Sequence, residues 1–207
     1  MTLDVMFIAL HVYGQHKRNT TMTIATTLLL ATSLLAAPAL GGVPQSRETA
    51  MSDHAHDFDF LIGKWRVHHW RLKDRLAGSH EWVEFEGTCD MWMTMDGHGT
   101  FDDNYIGLPS GPYRAVGVRG YDPKTQTWAI WWLDGRDPHS IEPPVIGNFK
   151  DGIGTFEGDD TFNGNPIKVR FTWSHITASF AHWEQAFSPD GGKTWETNWR
   201  MDLARVR

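Results

Sequence analysis

Apolar and polar residues alternate along most of the chain after residue 63, with the period of two that is typical of β-strands. Turn sequences interrupt this alternation at short intervals, and Asp151-Gly152 and Asn163-Gly164 are examples that favour tight hairpins. No segment after residue 57 sustains an apolar period of 3.6 residues, so no long helix is expected there. The pattern predicts strands at residues 64–73, 81–94, 98–107, 113–121, 127–134, 145–150, 153–162, 166–176, 180–187 and 194–204.

Strands joined in sequence by short turns predict an all-β, antiparallel up-and-down barrel of roughly eight to ten strands. Closure of a barrel removes the exposed edges that an open sheet would leave. A β-sandwich is the alternative. A short helical turn is expected at 57–62, and 135–144 is the one long connection. We expect residues 57–207 to form a single barrel domain, a usual size for one core.

The C-terminal hairpin permits a prediction of its register. Residues 188–195 (Ser-Pro-Asp-Gly-Gly-Lys-Thr-Trp) resemble an Asp-box turn, in which Asp190 would accept hydrogen bonds from nearby backbone amides. If Ser188 faces Thr194, one face of the hairpin is apolar and should point inward. Its pairs are Phe187–Trp195, Gln185–Thr197, Trp183–Trp199 and Ala181–Met201.

All eleven tryptophans lie between Trp65 and Trp199, mostly within the predicted strands. Side chains this large at inward positions would either fill a barrel or line a cavity inside it. Trp131 and Trp132 are adjacent, so one of them must face outward. The tryptophans therefore predict an aromatic interior and at least one aromatic contact on the outside.

The N-terminal residues have the composition of a secretory signal peptide. Two basic residues precede the apolar run 24–35, and Ala-Pro-Ala at 37–39 offers a small-residue cleavage site. The apolar run is too short to span a bilayer comfortably, which argues against a retained anchor. We predict a signal peptide at 1–39, a flexible leader at 40–56, and a periplasmic or secreted protein. Met22 is an alternative start.

Charge and cysteine content restrict the classes of partner. The chain carries a formal charge of −6, and loss of residues 1–39 removes two basic residues and one acidic residue, which leaves about −7. Dispersed negative charge argues against nucleic acid, and neither membrane insertion of the mature form nor binding to anionic membranes is expected. Cys89 is the single cysteine, so no internal disulfide can form, and we expect a small buried hydrophobe there. No metal site is expected, since His54 and His56 lie in the predicted leader.

The segment 58–65 (Phe-Asp-Phe-Leu-Ile-Gly-Lys-Trp) resembles the opening of calycin barrels, the superfamily of lipocalins and fatty-acid-binding proteins. The resemblance implies that Gly63 and Trp65 form a Gly-x-Trp motif whose Trp lies across the closed end of the barrel. It also implies a basic residue packed on that ring as a cation–π lid, with Arg205 as the first candidate and Arg200 as the second.

More closely, the chain resembles the bacterial domain-of-unknown-function 1579 family from residue 58 to its C-terminus. The residues that carry this resemblance are 58–65, Trp-Trp-Leu-Asp-Gly-Arg at 131–136, Gly-Asp-Asp-Thr-Phe-Asn-Gly at 158–164 and the segment 183–192. Membership implies a calycin-like barrel but no particular reaction, cofactor or site.

The candidate cavity residues follow from which side chains should face inward. If Trp65 points inward, so do His69 and Arg71, which could orient an anionic head group; alternatively, the strand end twists into solvent. Gln185 and Thr197 would form a polar pair, either a core hydrogen bond or an orienting contact for a ligand. The candidate lining is His69, Arg71, Trp132, Trp183, Gln185, Thr197 and Trp199.

Charged segments elsewhere are interpreted as surface features. The doublets Asp102-Asp103 and Asp159-Asp160 are expected to be solvated hairpin ends, because adjacent strand residues point to opposite faces. The segment Asp134-Gly-Arg136 predicts a turn with a local ion pair, or alternatively a recognition loop at the barrel rim.

Three functional hypotheses remain open from the sequence. The first is a protein that binds a small apolar or aromatic molecule inside the barrel. The second is an enzyme of the calycin type, either an acid–base isomerase or a haem protein with His69, His175 or His182 as ligand; otherwise no cofactor is expected. The third is a structural or interaction module with a solid core. A homo-oligomer is possible under each of them.

Overall fold

Ten β-strands follow one another in a computed structural model that describes residues 54–207. The predicted signal peptide and the predicted leader as far as residue 53 lie outside the described residues. Within the described range, no helix has the length and apolar character needed to cross a membrane. The elements in chain order are 3-10 helices His54–His56 and Asp59–Leu61, β1 (Gly63–Leu72), β2 (Trp82–Thr94), 3-10 helix Met95–Gly97, β3 (Gly99–Ile106), β4 (Tyr113–Asp122), β5 (Thr127–Asp134), β6 (Val145–Lys150), β7 (Ile153–Phe162), β8 (Asn165–Ser174), β9 (Phe180–Ser188) and β10 (Glu196–Arg205).

The strands form a closed barrel. Each strand pairs antiparallel with its neighbours in sequence, and β1 pairs with β10 to complete the ring. The predicted all-β up-and-down barrel is confirmed, and the sandwich alternative is wrong. Each observed strand begins and ends within about two residues of its predicted bounds.

Local turn chemistry explains why the strand boundaries were predictable. Asp151 and Gly152 have φ angles of 52° and 78°, and Asn163 and Gly164 have φ angles of 51° and 79°. Two consecutive residues with positive φ form the hairpin turn whose twist matches that of the flanking strands, and Asp-Gly and Asn-Gly adopt it most easily. These sequences therefore fix where β6 turns into β7 and where β7 turns into β8.

The N-terminal segment caps one end of the barrel, which we call the floor. The carbonyl of His54 accepts a hydrogen bond of 2.8 Å from Nε1 of Trp128, and Ala55 is buried. Phe58 is fully buried and packs edge-on against the Trp128 ring. The last three residues of the leader expected at 40–56 thus form a short 3-10 helix, in which Ala55 is buried.

Trp65 belongs to β1, and its side chain lies across the floor. The side chain is buried, and its Nε1 donates a hydrogen bond of 2.7 Å to the carbonyl of Leu61. The guanidinium of Arg205 in β10 lies 4.2 Å from the centroid of the Trp65 ring. The same guanidinium donates to the carbonyls of Phe60 and Ile62 at 2.5 and 2.6 Å. Arg205 thus joins the N-terminal cap to the last strand.

Gly63 is the residue that this arrangement requires at the start of β1. Its φ angle is +120°, a conformation that residues with a side chain rarely adopt. A Cβ atom at this position would also lie 2.8 Å from a terminal nitrogen of Arg205. The Gly-x-Trp motif therefore combines an unusual backbone angle with space for the arginine.

The register of the β9–β10 hairpin differs from the prediction. Glu196 pairs with Phe187, and after an irregularity between Thr197 and Trp199 the partner of Trp199 is Gln185. A β-bulge places one extra residue in one strand, here in β10, and shifts all later pairs. The predicted pairs Gln185–Thr197 and Trp183–Trp199 are wrong for two reasons: before the bulge Glu196, not Trp195, already faces Phe187, and the bulge then shifts the register by a second residue. The apolar face of β9 is nevertheless inward, since Ala181, Trp183, Gln185 and Phe187 are all buried.

The turn before β10 is organised around Asp190. Its carboxylate accepts hydrogen bonds from the backbone amides of Thr194 and Lys193 at 2.9 and 3.0 Å, and from the Ser188 hydroxyl at 2.7 Å. These bonds, the amide of Thr194 first, hold the pKa of Asp190 well below its usual range. Trp195 follows this turn and packs outside the barrel, so its predicted inward position is wrong.

The outward position of Trp195 has two supporting contacts. The guanidinium of Arg170 lies 3.8 Å from the Trp195 ring centroid, and Arg170 itself pairs with Glu157 on the outer face. The indole Nε1 donates to the carbonyl of Gly192 at 3.0 Å.

We expect Arg205→Met to lower the free energy of unfolding by about 2 kcal/mol, because it removes the cation–π contact and the hydrogen bonds to the cap. Arg66→Met is the matched control: Arg66 is exposed on the outer face of β1, and its replacement should change stability by less than about 0.5 kcal/mol. Urea unfolding of both variants measures the difference. Equal effects would show that Arg205 does not hold the floor.

Candidate ligand cavity

The barrel contains a cavity of about 260 Å³. It extends from the floor, where Leu61 contributes, to the opposite end, which we call the mouth. Exposed residues Glu142 and Pro143 of the β5–β6 connection form part of the mouth, so this end meets solvent. Aromatic residues that line the cavity are Tyr113, Trp132, Phe162, Phe171, Trp173, Trp183, Phe187 and Trp199.

Four of these residues form a continuous aromatic wall across β8, β9 and β10. Trp183 is at its centre, with its ring centroid 4.9 Å from that of Phe171, 6.1 Å from that of Trp199 and 6.5 Å from that of Trp173. The rings meet at steep angles, the edge-to-face arrangement that aromatic pairs favour. We refer to Phe171, Trp173, Trp183 and Trp199 as the aromatic wall.

The structure places most of the predicted lining residues on the cavity. Those that line it are Arg71, Trp132, Trp183, Gln185 and Trp199, whereas His69 and Thr197 do not reach it. His69 is inward, as expected, so only its place in the lining is wrong, whereas for Thr197 the inward orientation is wrong as well. Trp132 is the inward member of its adjacent pair; Trp131 lies near Gly120 of the neighbouring strand β4, away from the cavity.

His69 points inward but is packed between neighbouring side chains and does not reach the cavity. Its ring stacks on Phe85 at a centroid distance of 4.7 Å, and its Nδ1 accepts a hydrogen bond of 3.1 Å from Nε1 of Trp199. The proton of the neutral ring is therefore on Nε2, which faces the backbone of Gly87. Burial lowers the pKa of His69 to about 3, so the ring is neutral at physiological pH.

Asn198 replaces Thr197 as the polar partner of Gln185. It is fully buried at the β-bulge, and its side-chain oxygen accepts a hydrogen bond of 2.9 Å from Nε2 of Gln185. Thr197 lies opposite Ala186 and is only half-buried. The bulge thus moves the polar pair by one residue, so Asn198 and Trp199 are both buried.

A charged group that the sequence interpretation had placed on the surface lies inside the barrel. Asp102 of β3 and Arg119 of β4 form a buried ion pair on the cavity lining. The other oxygen of Asp102 accepts hydrogen bonds from the Asn104 side chain and from the amide of Gly117, the latter at 3.0 Å. We call these four residues the inner polar cluster. The expectation that Asp102 is solvated is wrong, while Asp103 does face outward and pairs with Arg114.

The inner polar cluster depends on its neighbours for space and for contact with the aromatic residues. A Cβ on Gly117 would lie 2.5 Å from a carboxylate oxygen of Asp102, so only glycine fits there. The Arg119 guanidinium lies 5.0 Å from the ring centroid of Phe58 and 6.0 Å from that of Trp173. Within residues 54–207, the Nε atom of Arg119 and Nε1 of Trp173 have no hydrogen-bond partner, so the lining retains two unused donors.

Two further arginines lie at the mouth. The Arg71 guanidinium is 4.9 Å from the ring centroid of Trp199, and that of Arg75 is 4.6 and 5.5 Å from the centroids of Phe162 and Phe187. Burial lowers the pKa of Arg71, and burial together with the charge of Arg71 lowers the pKa of Arg75 to about 10. Both arginines keep their charge at neutral pH.

A third arginine at the mouth is neutralised. Arg136 forms an ion pair with Asp134 at 2.5 Å and lies 3.7 Å from the ring centroid of Tyr113. This is the local ion pair predicted for the segment, and both residues also line the cavity. Nearby Glu142 is exposed at the rim, yet the surrounding protein and the carboxylates of Asp160 and Asp134 raise its pKa to about 7.

None of the three histidines considered as haem ligands lines the cavity. His182 pairs with Asp202 at 2.6 Å, and its ring centroid lies 5.9 Å from that of the exposed His175. Like His69, neither residue lines the cavity. Among residues 54–207, no group of three or more His, Cys, Asp or Glu side chains is placed to hold a metal ion.

The most important residues that sequence reasoning missed are Asp102, Arg119 and Arg75. A usable signal existed for Asp102, because it alternates with Thr100, which is also inward. Arg119 likewise alternates with inward Ala115 and Gly117 in β4. Arg75 lies in the β1–β2 connection, where alternation provides no signal.

Comparison with known proteins gives structural neighbours only. No protein-family model and no curated protein sequence matches the chain. The S-type phycobiliprotein lyase CPES from Guillardia theta has a similar structure, with a TM-score of 0.50 and 11% identity over 72% of this chain and 90% of that chain. The protein EF1p2_mFAP2b bound to DFHBI gives a TM-score of 0.41 and 12% identity over 74% of this chain and 99% of that chain.

The ten-stranded closed barrel fits the calycin-like fold that the sequence predicts, and at 11% identity the likeness to the lyase extends to the fold alone. Membership in the domain-of-unknown-function 1579 family stays a prediction, since no family model matches.

The inner polar cluster predicts a large difference between two adjacent carboxylates. Asp102→Asn should lower the free energy of unfolding by about 3 kcal/mol, because it leaves the Arg119 charge buried without a counterion. Asp103→Asn is the matched control and should cost less than about 1 kcal/mol, since its ion pair is on the surface. Urea unfolding measures both values.

Combining Asp102→Asn with Arg119→Met should recover part of the lost stability, because the uncompensated charge is then absent. Additive losses in this double variant would contradict the buried ion pair.

His69 predicts acid sensitivity of the fold. The folded state holds its pKa at about 3, against 6.5 for an unperturbed ring, so between these values only the unfolded chain binds the proton. Stability is therefore complete above about pH 6.5 and falls as the pH decreases, by about 2 kcal/mol between about pH 6 and about pH 4.5 from this residue. His69→Gln should lose that part of the slope, measured by urea unfolding across the range.

His80→Gln, a change at an exposed histidine, is the control and should keep the wild-type slope. An unchanged slope in His69→Gln would mean that the ring is protonated in the folded protein.

Proposed function

We propose that this calycin-like barrel binds a small, mostly apolar or aromatic molecule in its interior. The observation that carries the proposal is the cavity of about 260 Å³ with the aromatic wall along one side. Ligand sites for drug-sized molecules are typically about 300–1,000 Å³ and mainly apolar, with a few polar groups that orient the ligand. This cavity lies just below that range, which favours a compact ligand.

The remaining hypotheses have less support. A solid structural core would fill the space that the cavity leaves open. A haem enzyme would need a histidine on the cavity, and His69, His175 and His182 all lie elsewhere. For acid–base chemistry Asp102 is the lining carboxylate at the inner end, and it is engaged in an ion pair with Arg119. Binding without chemistry is therefore the simplest function for these residues.

The cellular context of the proposal rests on the sequence. We infer that the protein is exported to the periplasm or beyond, on the strength of the basic, apolar and small-residue pattern in residues 1–39. We also propose, on the sequence resemblance alone, that the chain belongs to the domain-of-unknown-function 1579 family. A homo-oligomer stays a prediction. The exposed side chains of Trp92 and Phe101, on the outer face of the adjacent strands β2 and β3, offer an apolar surface for it.

Titration with 1-aminoanthracene, a small neutral fluorescent probe, tests binding. We expect saturable enhancement of probe fluorescence with wild-type protein. In Val169→Phe, which adds bulk at a buried lining position, the affinity should fall by about tenfold. Val116→Phe adds the same bulk on the outer face of β4 and should bind the probe as wild type does. Absence of saturable binding to wild type, or equal binding by both variants, would contradict an internal site.

A further inference from the structure

Arg71 and Arg75 are unusual because each charge is largely withdrawn from water without a counterion. Within residues 54–207, neither guanidinium forms an ion pair or a side-chain hydrogen bond, and their contacts are with the faces of Trp199, Phe162 and Phe187. Partly desolvated charges in proteins are normally paired. The described part of the fold therefore provides no ion pair that offsets the desolvation of these two neighbouring charges.

The acidic residues nearby are committed elsewhere or are too distant to form an ion pair with these arginines. Asp134 pairs with Arg136, and Glu196 accepts a hydrogen bond of 2.7 Å from the amide of Leu76. Asp159 pairs with Lys168 on the outer face. Glu142 and Asp160 complete the carboxylates at the rim, and neither lies within ion-pair distance of an arginine at the mouth.

Arg71 and Arg75 both line the cavity, at the end that meets solvent. Beneath them the lining is apolar and aromatic apart from Gln185, as far as the inner polar cluster, where the charge of Asp102 is already balanced by Arg119. The cavity therefore has an apolar body and, at the mouth, two arginines that have no ion-pair partner among the described residues. Guanidinium groups donate in a planar fork that fits carboxylate, phosphate or sulfonate oxygens.

We propose that Arg71 and Arg75 form an anion-binding subsite, so that the ligand of this barrel is an apolar or aromatic molecule with one anionic group held at the mouth. This inference rests on the proposed binding function and names the class of its ligand. The aromatic rings keep the guanidiniums in place while their donors remain free to bind the anionic group.

Competition against bound 1-aminoanthracene tests the subsite with two ligands of nearly equal shape. 2-Naphthoate carries a carboxylate, and 2-naphthamide carries a neutral amide in its place. We expect wild-type protein to bind the carboxylate about tenfold more tightly than the amide, because only the carboxylate accepts charge-assisted hydrogen bonds from both arginines. In the double variant Arg71→Met/Arg75→Met the preference should fall below about twofold, while the affinity for the amide stays within about threefold of wild type.

Arg66→Met, on the outer face, should retain the full preference and controls for the loss of a positive charge. A second measurement needs no variant: at equal concentration, 2-naphthoate should raise the melting temperature of wild-type protein more than 2-naphthamide does. Equal affinities for the two ligands, with 1-aminoanthracene still bound, would overturn the anionic subsite and leave the proposed binding function intact. Failure to bind 1-aminoanthracene would overturn both.

Discussion

The pairing of β1 with β10 is the contact on which the rest of the structure depends. It closes the sheet, so each strand of the described barrel has two hydrogen-bonded neighbours. Closure also defines an inside, and because side chains alternate along a strand, it decides which residues face the cavity. Trp65 and Arg205 are partners in this closing pair. Their cation–π contact therefore joins the first and last strands at the floor, where the N-terminal cap packs on them.

How far the sequence could predict this protein depended on whether each signal was local. Asp-Gly and Asn-Gly turns mark the hairpins, and simple alternation identifies Trp183 and Gln185 as inward. Thr197 was misplaced because the bulge at Asn198 changes the alternation of β10, and no local pattern marks a bulge. The ion pair between Asp102 and Arg119 joins residues 17 positions apart, so an inward carboxylate could be understood only with the β3–β4 register known.

The interior holds two pairs of charged groups, one made of opposite charges and the other of two like charges. Asp102 and Arg119 neutralise each other, so the inner end adds polarity without net charge. Arg71 and Arg75 form no such ion pair within residues 54–207, although the whole chain has a formal charge of −6. Partly desolvated cations surrounded by aromatic rings interact more strongly with an anion than exposed ones would, because solvent screens them less.

Trp199 connects the packed core to the mouth. Its indole Nε1 donates to His69, whose depressed pKa keeps the ring neutral and its Nδ1 lone pair available to accept that bond. The bond fixes the orientation of the indole, and the face of the indole then supports the Arg71 guanidinium at 4.9 Å. His69 therefore influences the cavity through Trp199, because it positions the indole ring that Arg71 contacts. A protonated His69 could not accept the bond, so the state of a buried histidine and the placement of a charge at the mouth are physically linked.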